Sequence, residues 1–157
     1  MNVVLKPASL ELVITRELKA PCERVFAAWT DVRVSSVWWV PKECTLVSCE
    51  MDVREGGTWR RRMRVPNGSV ITKYGVYREI VPPDSSTQGR LVFTYVTDYA
   101  NGTIDPETLV TLTFDELDGG RTRLTLRHSG FWDEASRVSH TGGWTGAVER
   151  LLDFIAL

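Results

Sequence analysis

Cysteine is sparse in this 157-residue chain: Cys22, Cys44 and Cys49 are the three present, and they form no C-x-x-C pair. That spacing speaks against a zinc ribbon or a dithiol redox centre. Cys44 and Cys49 stand an odd number of positions apart, so on one strand they would face opposite ways. Free thiols in a reducing cytosol, with no metal bound, are the expectation. Histidine is scarcer still, at His128 and His140. The chain has no H-E-x-x-H, G-x-S-x-G or Cys–His signature, so no recognised motif supplies a nucleophile or a catalytic metal. No apolar run approaches the roughly 20 residues that cross a bilayer. Met1 to Leu10 carries Lys6 and Pro7 without the apolar stretch of a signal peptide, and a cytoplasmic protein is expected. Charge is nearly cancelled, 19 basic side chains against 20 acidic, which removes any broad attraction to nucleic acid.

Tryptophan, by contrast, is abundant, with six copies, and a buried indole usually has a use for its N–H. The length fits one domain spanning residues 1–157, and a chain of this size buries roughly 70% of its unfolded surface. Leu10, Leu12, Ile14 and Leu18 share one face against Glu11, Thr15 and Glu17, which predicts a first strand. Ala20-Pro21 ends it, and Val25, Phe26, Ala28 and Trp29 follow at helical spacing. A second short helix is predicted from an Asp31 N-cap to Trp38, with Pro41 beyond it. From Thr45 to Arg127 the pattern is strand and turn, over residues 45–53, 58–65, 69–81, 90–97, 107–117 and 121–129. Asn67-Gly68 is a hairpin signal within it. A final helix is predicted from Gly142, because Trp144, Val148, Leu151, Leu152 and Ile155 form an apolar stripe. This order describes an α+β domain: one antiparallel sheet of about seven strands, two short helices after the first strand, and one long C-terminal helix.

Several segments carry a family resemblance. They are Ala20-Pro21 with Val25 to Trp29, Trp38-Trp39-Val40-Pro41, Arg54-Glu55-Gly56-Gly57 with Trp59, Gly75 to Pro83, Arg90 to Thr94, and Gly143-Trp144. In them the chain resembles homologues of the activator of heat shock protein 90 ATPase, a family within the START-like (SRPBCC) superfamily. The likeness runs from about Leu12 to Leu152. It implies a helix-grip fold, in which a curved sheet wraps the C-terminal helix and leaves a cavity for apolar or aromatic small molecules.

Strand parity and aromatic supply then nominate a lining. Trp59, Arg61 and Met63 share one face of a strand, with Arg60, Arg62 and Arg64 on the other. Arg61 reads either as a buried cation fixing a ligand's carboxylate, phenolate or carbonyl, or as an arginine whose stem covers apolar surface. His128 shares a face with Leu124 and Leu126, where it serves as general acid or base or as hydrogen-bonded packing. Trp39, Tyr74, Phe93, Tyr95, Trp144 and Val148 complete the candidate ligand contacts. Of Trp38 and Trp39, one belongs to the core and the other to the cavity rim. A bulge near Gly75 would invert every side chain after it. Glu79 and Arg90 are expected to form an ion pair, Gly56 and Gly57 to take positive φ, and His140 to precede the last helix. The outer arginines are expected to face Glu50 or Asp52 across the strands.

Three functions follow. The first is binding of a small hydrophobic or aromatic molecule between sheet and last helix, with no cofactor. A second, implied by the resemblance, is contact with a chaperone; the co-chaperones concerned carry an additional N-terminal domain, whereas nine residues precede the first strand here. A third, implied by the superfamily, is a cyclase- or aromatase-like enzyme in which Arg61 and His128 converge. Exposed tryptophan and a free sheet edge invite a homodimer.

Overall fold

The computed structural model describes residues 10–156. In chain order the elements are β1 (Leu10–Leu18), α1 (Cys22–Thr30), α2 (Val32–Trp38), β2 (Thr45–Met51), β3 (Thr58–Arg64), β4 (Val70–Val81), β5 (Gly89–Asp98), β6 (Thr108–Leu117), β7 (Arg121–Phe131) and α3 (Glu134–Ile155). The strands form one seven-stranded sheet in the order β1-β7-β6-β5-β4-β3-β2. All neighbours are antiparallel, so β2 to β7 is a plain meander and β1 closes against β7. α1 and α2 carry the chain from one sheet edge to the other, and α3 lies across the inner face.

Alternation builds the strands. β3 buries Trp59, Arg61 and Met63 and exposes the residues between them. The central strand β5 is buried on both faces over most of its length, which suits its run of β-branched and aromatic residues. α3 presents Trp144, Ala147, Val148, Leu151 and Ile155 to the sheet, a stripe at helical spacing. Its indole meets those of Trp29 and Trp39, and Trp38 stacks on Trp39 and meets Trp29 edge-on, so four tryptophans join the three helices above the sheet.

α3 begins eight residues before the glycine pair that seemed to open it, because Asp133 caps it by accepting from the Ser136 N–H at 2.7 Å. The helix runs through Gly142 and Gly143, each costing about 1 kcal/mol relative to alanine. Neither position requires glycine for space: a Cβ on Gly142 would meet nothing within 4 Å, and one on Gly143 would make an ordinary contact 3.8 Å from Pro41. One turn on, a Cβ on Gly146 would lie 3.4 Å from the Lys42 nitrogen, where the segment after α2 packs against α3. His140 consequently sits within the helix rather than ahead of it.

The irregularity expected near Gly75 has two parts. Ladder pairing of β4 with β5 skips Gly75 and Val76, and the bulge falls between Tyr77 and Glu79. At the skipped pairs, Thr94 Oγ1 accepts from the Val76 N–H at 2.8 Å, and the Trp59 indole donates to the Thr94 carbonyl at 3.2 Å. A Cβ on Gly75 would stand 1.8 Å from that carbonyl oxygen and 2.7 Å from Trp59 Nε1, so only glycine fits beneath the indole. Gly56 takes φ 81°, whereas Gly57 does not; its need is space, since a Cβ would lie 2.0 Å from the Asp52 carbonyl. Glu79 and Arg90 pair at 2.9 Å. Glu50 stands opposite Arg60 in register without an ion pair, and Asp52 bonds Arg54 instead.

Candidate functional site

Beneath α3 the inner face of β3, β4 and β5 stops short of close packing and leaves a partly open cavity of about 180 Å³. β3 contributes Arg61 and Met63, β4 contributes Lys73, and β5 contributes Tyr95. The segment after α2 supplies Trp39 and Cys44, and α3 supplies His140, Trp144 and Ala147. Trp38 turns away: its indole donates to the Ala28 carbonyl at 2.9 Å, which assigns Trp38 to the core and Trp39 to the cavity.

Arg61 is the unusual member. It is 2% exposed, and its Nε and Nη1 find no hydrogen-bond partner among the described residues. Its guanidinium carbon lies 3.6 Å from the Trp39 ring centroid and 5.2 Å from that of Trp59. A buried guanidinium is costly to desolvate, and stacking on indole faces returns only part of that cost. Burial pulls its pKa below the ordinary arginine value, against the opposing influence of Tyr95, Cys49 and Tyr77. The Trp39 Nε1 and the Tyr77 hydroxyl are likewise buried without partners among the described residues.

His128 behaves oppositely. The Trp144 indole donates to its Nδ1 at 2.9 Å, so Nδ1 is the acceptor and the ring proton sits on Nε2. Nε2 then donates to Thr108 Oγ1 at 2.6 Å, and that hydroxyl donates to the Tyr95 carbonyl at 2.8 Å. Every group in this series, from Trp144 to the Tyr95 carbonyl, is satisfied. Burial, with smaller contributions from His140 and Lys73, lowers the His128 pKa to about 2, so the ring stays neutral. It orients Trp144; neither nitrogen is free for proton transfer. The His140 pKa is lowered mainly by burial and next by Lys73. Burial raises the Cys44 and Cys49 thiols, which keeps both weak as nucleophiles.

Of the residues nominated from sequence, Trp39, Arg61, Met63, Tyr95 and Trp144 meet at the cavity. Trp59, Phe93, His128 and Val148 are buried behind it, as the packed layer that holds those walls. Tyr74 does not belong to the group: it lies opposite Arg60 and Val96, on the outer face. Register explains the difference. A two-residue Asn67-Gly68 turn would set Tyr74 opposite Arg61. The loop instead closes with the Val65 N–H on the Ser69 carbonyl at 2.9 Å, which sets Lys73 there. Sequence reading missed Lys73, Cys44 and the inward His140; the Asp133 cap was the signal that could have placed His140 within the helix, whereas Lys73 depends on a hairpin register that no local pattern carries. Tyr74 instead lines a broader outer groove of about 650 Å³ with Glu50, Asp52 and Arg60, where both signs of charge lie on solvated side chains. Among the described residues no cluster of histidine, cysteine and carboxylates is arranged to hold a metal. No described helix is long and apolar enough to cross a membrane.

A seven-stranded antiparallel sheet closed over a long C-terminal helix, with a cavity between them, defines a helix-grip domain. The sequence model of the family described as activator of Hsp90 ATPase homolog 1-like protein matches residues 19–156, and the chain belongs to that family. No curated protein matches it. Solved structures share the fold. The AHSA1 protein from Silicibacter pomeroyi is 23% identical with a TM-score of 0.79, over 94% of this chain and 98% of its own. A protein from Rhizobium leguminosarum is 26% identical with a TM-score of 0.77, over 94% and 95%. CalU16 from Micromonospora echinospora is 26% identical with a TM-score of 0.67, over 94% and 76%. The fold is one that commonly binds hydrophobic ligands.

Proposed function

We propose that this chain binds a small apolar or aromatic molecule in the cavity between β3–β5 and α3. The observation that carries this reading is a cavity of about 180 Å³ with walls of Trp39, Met63, Tyr95 and Trp144. An apolar cavity of roughly 150 Å³ accepts a benzene-sized guest. Holding, rather than converting, is the activity the geometry favours, because His128 commits both nitrogens to the fold. Contact with a chaperone has no comparably specific feature behind it.

Native mass spectrometry tests the reading. Purified protein is compared before and after mild denaturation, and against a panel of aromatic and acyl molecules of one-ring size. The expected result is a retained or acquired one-to-one adduct that disappears in Ala147→Phe, whose ring occupies the cavity. Adducts that persist in that variant would place the ligand elsewhere and overturn the assignment.

A further inference from the structure

The cavity is cationic, and its counter-charge is missing. Arg61 and Lys73 stand directly opposite each other on neighbouring antiparallel strands, and both line the cavity. Like charges in that cross-strand position repel and destabilise the pair. A carboxylate between them would be the ordinary remedy. Among the described residues, none lies within ion-pair reach of either one, and the lining contains neither aspartate nor glutamate.

The two cations meet their surroundings in different ways. Lys73 donates to Thr97 Oγ1 at 2.9 Å and its ammonium lies 5.1 Å from the Tyr95 ring centroid. Two of its three donor directions remain for another acceptor. Arg61 has two unpartnered donor atoms, Nε and Nη1, in a fully buried position. Asp105, which acts on His140 at the rim, accepts from the Tyr99 hydroxyl at 2.9 Å, and Glu43 acts on Cys44; neither lines the cavity. His140, also on the lining, is a neutral ring that adds no compensating negative charge. A site with two positive groups, unsatisfied donors and aromatic walls is complementary to one kind of guest.

We infer that the ligand is an organic anion, an aromatic or compact apolar carboxylate whose charged end lies between Arg61 and Lys73 and whose apolar body lies against Trp39 and Trp144. This rests on the cavity reading above and specifies its chemistry. The planar guanidinium fork suits a carboxylate, with which it forms charge-assisted bonds of about twice the neutral strength. The rings supply the remaining contact, and they distinguish such a guest from a free inorganic anion.

The test uses the purified chain and three probes: benzoate, the isosteric but neutral benzamide, and acetate, which has the charge without the ring. Binding is read from the indole N–H signals of Trp39 and Trp144 in nitrogen-15 NMR titrations. Benzoate is expected to bind about tenfold or more tighter than either comparator. Arg61→Met removes that preference, bringing benzoate affinity down to that of benzamide. Lys73→Met, at a half-buried position, weakens benzoate by about threefold to fivefold. Equal binding of benzoate and benzamide would overturn the anion and leave the cavity reading standing. Acetate binding as well as benzoate would overturn the organic guest in favour of a simple anion site. An absence of shifts at either indole with any probe would overturn both readings.

Discussion

Replacing Arg61 by methionine is expected to stabilise the ligand-free protein, although it removes a fully buried side chain. The unbranched thioether keeps the contact with the Trp39 ring, which the guanidinium now makes at 3.6 Å. What disappears is a cation with Nε and Nη1 unpartnered and no carboxylate near it. Burying an ion costs several kcal/mol even after relaxation. Against this, a desolvated cation–π contact returns about 2 kcal/mol at Trp39 and less at the more distant Trp59. The difference, about 1–3 kcal/mol, is the gain expected on substitution. In a domain of this size 1 kcal/mol moves Tm by roughly 2–4 °C, so the variant should melt about 2–12 °C higher. Differential scanning calorimetry at neutral pH reads this directly, with Arg61→Lys as the control that keeps the charge and gains nothing. A fall in Tm for Arg61→Met would refute the reasoning, because it would show that the fold itself satisfies the guanidinium and that no anion is wanted.

Other parts of the account make separate predictions. His128 and His140 have folded pKa values below the ordinary 6.5, so the unfolded chain binds more protons as pH falls below 6.5. Stability therefore declines from pH 6.5 downward, by up to about 1.4 kcal/mol per pH unit from His128 alone. Urea midpoints measured from pH 7 to 5 should show that slope and a shallower one in His128→Gln. Trp144→Phe leaves His128 Nδ1 buried without its donor and should cost about 1–3 kcal/mol in urea denaturation, with little change in the denaturant slope. Gly75→Ala forces a Cβ to 1.8 Å from the Thr94 carbonyl oxygen. It should cost about 3 kcal/mol or more, or give no folded protein by circular dichroism, whereas Gly142→Ala, with nothing within 4 Å, should be neutral or stabilising.

How much of this was legible in the chain depended on whether a local pattern or a register decided it. Alternation placed β1 to β7 nearly to the residue, and the Asp31 cap fixed the start of α2, because a half-buried strand and a capped helix write their period into the sequence. The start of α3 was placed at Gly142 because the apolar stripe begins just beyond it, whereas the Asp133 cap starts the helix at Glu134 and it continues through both glycines. At the site, parity within β3 put Arg61, Trp59 and Met63 on the inner face correctly. Parity cannot say which β4 residue meets Arg61, since that depends on one residue of loop length at Pro66-Asn67-Gly68. Tyr74 and Lys73 therefore exchanged roles, and the second cation of the cavity went unseen. The missing counter-charge is a property of three strands and a helix together, so no local pattern carries it.

The most direct test of the central claim is a crystal structure of the chain soaked with para-iodobenzoate, with the iodine located by its anomalous signal. The account predicts one strong site beneath α3, with the iodine beyond Trp39 and Trp144 and the carboxylate on Arg61 and Lys73. Iodine in the outer groove beside Tyr74, with the inner cavity closed or unaltered, would contradict it.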